Sequence, residues 1–343
     1  VTNIKVLFIG ILVVLAVNAG ALYADTLTLR PDHPERYVVV KGDTLWDISA
    51  RFLKDPWLWP KVWRINPQID NPNLIYPGDV IVLKYENGKP VLQVERGRQT
   101  VKLSPETRTS SIEEAIPTIP VDAIHQFLMH PMVLSKRDVN RAGYVVADED
   151  GRVISGASDT VYGRSLPDEH AVAYDIYRIG DAYRDPKSHA LLGYEALRVA
   201  TARVTKTGDP TTLVITTSNR ETLVGDRLLP AQGPAIEQYF QPKAPDGKVS
   251  GSIIAVLDGV SRIGQYQTVV LNLGKDKGMA PGDVLAVYQR GEVVSDTVEG
   301  GKVRLPNRRA GLVMVVKAFD RVSYALVMKA EKDMRVFDSV TNP

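Results

Sequence analysis

None of the 343 residues is cysteine. That absence excludes disulfides, thiolate metal ligands, cysteine nucleophiles and a lipid-bearing cysteine. Burial alone must hold the chain together, and it is long enough for that. Histidine is scarce. His33, His125, His130, His170 and His189 form no His-x-His pair and no His-Glu-x-x-His run, so a zinc amidase or endopeptidase lacks its ligand pattern. Gly-x-Ser-x-Gly and Ser-x-x-Lys are missing too, which removes the usual serine-nucleophile signatures. Net charge is small: Lys+Arg 42 against Asp+Glu 40 leaves +2, with no basic run, and this argues against nucleic acid as a partner. No cofactor is expected.

What is present begins with an apolar run. Lys5 precedes uninterrupted apolar residues over 6–17, followed by small residues up to Ala24. A charged start, a short apolar stretch and a small-residue site predict a signal peptide over residues 1–24, cut at Ala24 or Ala21. At ~1.5 Å per residue the run falls short of a ~30 Å hydrocarbon core. The longer stretch 4–23 is the alternative, an uncleaved anchor.

Residues 37–40 are β-branched and read as a strand. Thr44, with Asp47 three residues on, is a capping pattern, and Leu45, Ile48 and Phe52 follow on one helical face. Pro56 suits the first position of a second helix, which Pro60 disturbs and Asn66-Pro67 ends. Tyr76-Pro77-Gly78-Asp79 is a turn before a strand over 80–85. Asn87-Gly88 signals a hairpin to 91–94, with another strand near 100–103. Residues 105–120 are rich in Ser, Thr, Glu and Pro and read as a linker; 121–129 suit a short helix. From Tyr144 onward short Val/Ile/Leu/Thr runs alternate with turn residues. A weak repeat is visible: residues 174–180 resemble 285–291, and 213–226 parallel 325–338 at nearly the same offset. Two β units joined through 232–248 account for it; chance similarity among Val-rich strands is the alternative.

The expected fold class is therefore α+β and multidomain. It comprises a βααβ domain over 36–84, a β extension over 85–104, the linker, and β-rich units over 121–232 and 249–343.

The segment Tyr37-Val38-Val39-Val40-Lys41-Gly42-Asp43-Thr44-Leu45-Trp46-Asp47-Ile48-Ser49 resembles the opening of a LysM domain. Asn66-Pro67 and Leu74-Ile75-Tyr76-Pro77-Gly78-Asp79-Val80-Ile81-Val82-Leu83 resemble its end. The resemblance implies binding to N-acetylglucosamine-containing glycan, in bacteria peptidoglycan, in a shallow groove between two loops. Carried over by position, the groove residues are Gly42, Asp43, Thr44 and Leu45, with Asn73, Leu74, Ile75, Tyr76 and Pro77. Loop amides and carbonyls can bond the acetamido group and hydroxyls while Leu and Ile pack on the sugar's apolar face. A helix cap also accounts for Thr44 and Asp47. The segment 55–63 departs from the usual pattern by holding Trp57, Trp59 and Trp63, which fit either core packing or an added sugar contact.

Residues 269–288 resemble the C-terminal module of the flagellar assembly protein T family. Together, the leader, the LysM segment, Ile116-Pro117-Thr118-Ile119-Pro120 and this module are similar to type IV pilus secretin-associated proteins. That likeness implies a non-enzymatic periplasmic anchor joining peptidoglycan to an outer-membrane secretin; the alternative partner for the β-rich end is another copy of the chain, by self-association. The rival is a peptidoglycan-remodelling enzyme, or an activator of a cell-wall hydrolase.

Overall fold

A computed structural model describes residues 27–63, 75–95, 131–168, 170–231, 241–257 and 263–343. The expected signal peptide, Asn66-Pro67, Asn73, Leu74, the strand near 100–103, the linker and the helix over 121–129 lie outside the described residues.

Thr44 is an extended N-cap. Its Oγ1 accepts the Asp47 N–H at 3.1 Å and donates to Asp47 Oδ2 at 2.7 Å, satisfying an amide that the first helical turn leaves free. Helix α1 (Leu45–Phe52) follows, with Leu45, Trp46, Ile48, Ser49 and Phe52 buried. Pro56 opens a 3-10 turn (Pro56–Leu58), which runs into the single-turn helix α2 (Trp59–Val62). Pro60 sits in that first turn, where a missing N–H removes no helical bond. Strand β1 (Arg36–Val38) pairs antiparallel with β2 (Val80–Glu86), and β2 with β3 (Lys89–Glu95). Asn87 at φ 52° and Gly88 at φ 75° make the β2–β3 turn, the backbone that matches strand twist in a two-residue hairpin. Trp57, Trp59 and Trp63 are all buried, with Trp59 and Trp63 edge to face at 6.4 Å. They are core residues.

The next body contains β4 (Pro131–Leu134), α3 (Lys136–Arg141), β5 (Gly143–Asp148), β6 (Ile154–Ser155), β7 (Thr160–Arg164), β8 (Ala173–Arg184), β9 (Leu191–Lys206), β10 (Thr211–Ser218), β11 (Thr222–Leu223) and β12 (Arg227–Pro230). Its main sheet runs β10-β7-β5-β12-β8-β9-β4, and β9 also pairs with β10, so six of these strands close into a ring. The C-terminal body holds β13 (Ser250–Val256), β14 (Thr268–Leu271), β15 (Val284–Gln289), the hairpin β16 (Val293–Ser295) and β17 (Lys302–Arg304), β18 (Arg308–Ala318), β19 (Ser323–Ala330) and β20 (Ser339–Thr341). Here β13-β14-β19-β18-β15-β20 is a closed barrel. Taken in chain order, the ring strands β5, β7, β8, β9, β10 and β12 follow the same circuit as β13, β14, β15, β18, β19 and β20.

In β18 every residue from Gly311 to Val316 is buried. Val313 and Val315 belong to the barrel interior with Val269, Leu285 and Val327. Leu312, Met314 and Val316 point the other way, into a buried cluster that continues through Val270, Ala286 and Tyr324 to Tyr183 of β8 and to Trp46, Trp59 and Trp63. An unbroken apolar run is what a strand covered on both faces requires. Helices α1 and α2 and the middle ring thus share one apolar cluster with the barrel's outer wall.

The α+β, multidomain expectation is corrected by this arrangement. The protein is mostly β, with 50% strand and 9% helix. The reason is that helix is confined to a few short segments, while the sequence beyond Gly143 closes into antiparallel sheets. Nor is the N-terminal segment 36–84 a clearly separate α+β body, since its core runs on into the rest.

Asp185 and Asn272 form a polar joint between ring and barrel. Asp185 Oδ1 accepts the backbone N–H groups of Lys187 at 3.0 Å and Ser188 at 2.8 Å, while Oδ2 accepts Asn272 Nδ2 at 2.8 Å. Asn272 cannot turn over, because its Oδ1 receives the Ser252 N–H at 2.7 Å. The Ser188 N–H, and then the Asn272 amide, hold the Asp185 carboxyl well below the usual carboxylate range. A depressed folded pKa contributes stability above the unfolded value of about 4, lost as pH falls towards the folded one. Asp185→Asn would set an amide donor against the Asn272 donor. It should lower stability at pH 7 by about 1 kcal/mol, discounted for partial exposure. The gap between the denaturant midpoints of variant and wild type should narrow progressively as pH falls below about 4; a gap that is independent of pH would contradict this assignment.

Candidate glycan-binding site

The two loops named from sequence have the same construction. In residues 40–43, Gly42 takes φ 97° and Asp43 Oδ2 accepts the Val40 N–H at 2.9 Å. In residues 76–79, Gly78 takes φ 96° and Asp79 Oδ2 accepts the Tyr76 N–H at 3.0 Å. Both third positions need a backbone that glycine enters without a side-chain penalty. A Cβ on either would meet nothing within 4 Å, so the constraint is the dihedral and not space. The loops are tied side by side: Val39 N–H donates to Asp79 O at 2.9 Å, and Gly78 N–H to Val39 O at 2.8 Å.

The named residues divide by what their side chains do. Gly42 is exposed, and Tyr76 and Pro77 are half-buried. Asp43 is occupied by its own turn and by the Tyr37 hydroxyl, which donates at 2.9 Å. Burial, then the Asp43 carboxylate, pushes the Tyr37 phenol above its ordinary value, so it remains a donor. The Arg51 guanidinium lies 4.4 Å over the Tyr37 ring. Thr44 is occupied as the cap of α1. Leu45 and Ile75 are 0% and 1% exposed, so their side chains pack the core and offer no face to a sugar. Contact from these two positions reduces to backbone groups. Asn73 and Leu74 lie outside the described residues. Asp79 and Tyr37, which fix the loops, are not among the groove residues expected from sequence; the echo of Gly42-Asp43 in Gly78-Asp79 is the available signal.

One other concave site stands out. Ser165, Asp168 and His170 line a cavity of about 710 Å³ at one end of the middle ring. Asp168 Oδ1 accepts the backbone N–H of His170 at 2.9 Å, so that oxygen orients main chain and not an imidazole. Among the described residues no group of three or more His, Asp or Glu could hold a metal ion, and no helix is long and apolar enough to cross a membrane.

The strand–helix–helix–strand order and the tied loops define a LysM module. Residues 37–84 match the family model for the LysM domain. LysM domains bind the N-acetylglucosamine glycans of peptidoglycan, so this chain carries a peptidoglycan-binding domain, a binding module and not a catalytic one. That points to association with the cell envelope. A protein of Bacillus subtilis (strain 168) with the name Uncharacterized protein YqbP is 48% identical over 33 residues, which is 10% of this chain. The chain spans 15% of that relative's length.

Proposed function

We propose that this protein is a non-enzymatic periplasmic tether that holds peptidoglycan through its LysM loops and an outer-membrane secretin of a type IV pilus machine through its β-rich body. The observation that carries the glycan half is the pair of tied loops within the matched LysM segment. Gly42, Asp43, Thr44 and Leu45, with Asn73, Leu74, Ile75, Tyr76 and Pro77, line the groove; Leu45 and Ile75 contribute main-chain groups. The secretin half rests on the likeness of residues 269–288 to an envelope-assembly module. In the proposed division, residues 1–24 are the leader, 36–84 the glycan module, 85–104 its β extension, 105–120 the linker, and 121–232 and 249–343 the two β units. Copies associate with one another around the channel.

The test uses the full chain. It should sediment with purified peptidoglycan, and Tyr76→Asp should reduce affinity about tenfold or more by putting charge beside the groove while leaving the fold intact. Equal sedimentation of the two proteins would reject the groove. The Ser165–Asp168–His170 cavity keeps the remodelling-enzyme reading in view. Release of soluble muropeptides by the wild type, abolished in His170→Ala, would replace the tether with an enzyme. Capture of the secretin from envelope extract tests the other half.

A further inference from the structure

Among the described residues, seven four-residue turns share one bonding pattern: 40–43, 76–79, 156–159, 223–226, 264–267, 280–283 and 335–338. In each, the first N–H donates to the fourth side chain and the fourth N–H donates to the first carbonyl. The third residue always has positive φ. Four turns place glycine there; the others place Ser158, Tyr266 and Phe337. A bulky side chain in that region is an outlier that calls for a reason.

For Tyr266 the structure supplies one. Its turn precedes β14, and the turn that carries Ser158 precedes β7, the strand at the same place in the ring's circuit. The turn itself therefore needs no aromatic. At φ 64° Tyr266 is half-buried against the cluster shared with the LysM helices. Its hydroxyl makes a long contact, 3.4 Å, to Asp47 Oδ1. Asp47 Oδ2 is the acceptor for the Thr44 hydroxyl, and Thr44 Oγ1 accepts the Asp47 N–H. Burial, and then the Asp47 carboxylate, push the phenol above its ordinary value, so it stays protonated. Beyond the other end of α1, Arg309 of β18 meets Asp55 at 3.4 Å.

We propose that Tyr266 is a positioning residue for the glycan site: the barrel presses it onto Asp47, Asp47 holds Thr44, and the first groove loop is thereby set by barrel docking. The effect on affinity rests on the glycan reading above; the effect on the loop does not.

Full-length Tyr266→Phe keeps the ring and loses only the hydroxyl. Tyr266→Gly removes the ring and relaxes the turn. The amide resonances of Gly42, Thr44 and Asp47, the thermal midpoint and sedimentation with purified peptidoglycan are compared with wild type. The expected result is displaced resonances in both variants with affinity about fivefold weaker in the glycine variant, the low end of inter-site coupling, and a smaller loss in the phenylalanine one. The barrel's melting should not fall in Tyr266→Gly, since glycine suits the turn. A purely structural tyrosine would lower the midpoint and leave those amides in place. Unmoved resonances, or affinity equal to wild type in both variants, would overturn the proposal. If wild type itself fails to sediment, the glycan reading falls, and the resonances alone decide whether the barrel positions the loop.

Discussion

Trp59→Ala should destabilise the protein by about 3–5 kcal/mol, the usual loss for emptying a buried tryptophan site. Trp59 is 2% exposed, meets Trp63 edge to face, and belongs to the cluster that joins the LysM helices to the barrel wall. Its Nε1 has no hydrogen-bond partner, so the ring contributes by packing, and alanine would leave a cavity between elements that cannot all collapse. Against a typical total of about 5–15 kcal/mol, the loss is large enough to unseat the LysM segment at moderate temperature. Peptidoglycan sedimentation should fall with it, and the denaturant midpoint should shift in parallel. A tryptophan serving as a sugar platform behaves differently: its removal lowers affinity and leaves the midpoint alone. That second outcome would refute the core assignment.

What was legible in the sequence was chemistry confined to a few neighbouring residues. Thr44 with Asp47, Pro56 at a helix start, and Asn87-Gly88 between strands each specify a backbone state by local bonding or steric limits, and each is found in that state. Assigning sugar contacts to the Leu45 and Ile75 side chains went astray because a matching position carries over which loop a residue is in, not which way it points. The fold class was overestimated in helix because the capping signals are strong but mark only short helices, while most of the chain is strand. Docking of the LysM segment on the barrel was not legible at all. Leu312-Val313-Met314-Val315-Val316 reads as one apolar run, and nothing in it says that alternate residues serve an interior and a neighbouring helix. Tyr266 and Phe337 were equally silent, since neither residue type announces a positive φ.

Asp226→Ala should cost about 3–5 kcal/mol, as expected when one partner of a buried ion pair is removed. Asp338→Ala, in the equivalent turn of the barrel, should cost only about 1–3 kcal/mol for a lost acceptor. Both carboxylates are 5% exposed, and both accept the first N–H of their turn at 2.8 Å, from Leu223 and from Arg335. The difference is Arg178. Its Nη2 reaches Asp226 Oδ2 at 2.9 Å and its Nε reaches Oδ1 at 3.1 Å, a two-pronged contact, while Nη2 also donates to the Glu221 carbonyl at 2.7 Å. Asp226, ahead of any other influence, holds the guanidinium above its ordinary pKa. Without that carboxylate a partly buried cation keeps only Glu221, whose side chain is half exposed. Asp338 has no such fork, and burial pushes its carboxyl up, so its ionised form gives less back to the fold. The two variants therefore share a turn and separate the arginine's contribution, read as the gap between their denaturant midpoints. Because β8 carries both Arg178 and Tyr183, and Tyr183 enters the cluster under the LysM helices, Asp226→Ala should also expose the LysM segment to protease earlier than Asp338→Ala does. Equal losses in the two variants would mean that Arg178 repays no more than its own desolvation, and that the turn hydrogen bond alone accounts for both.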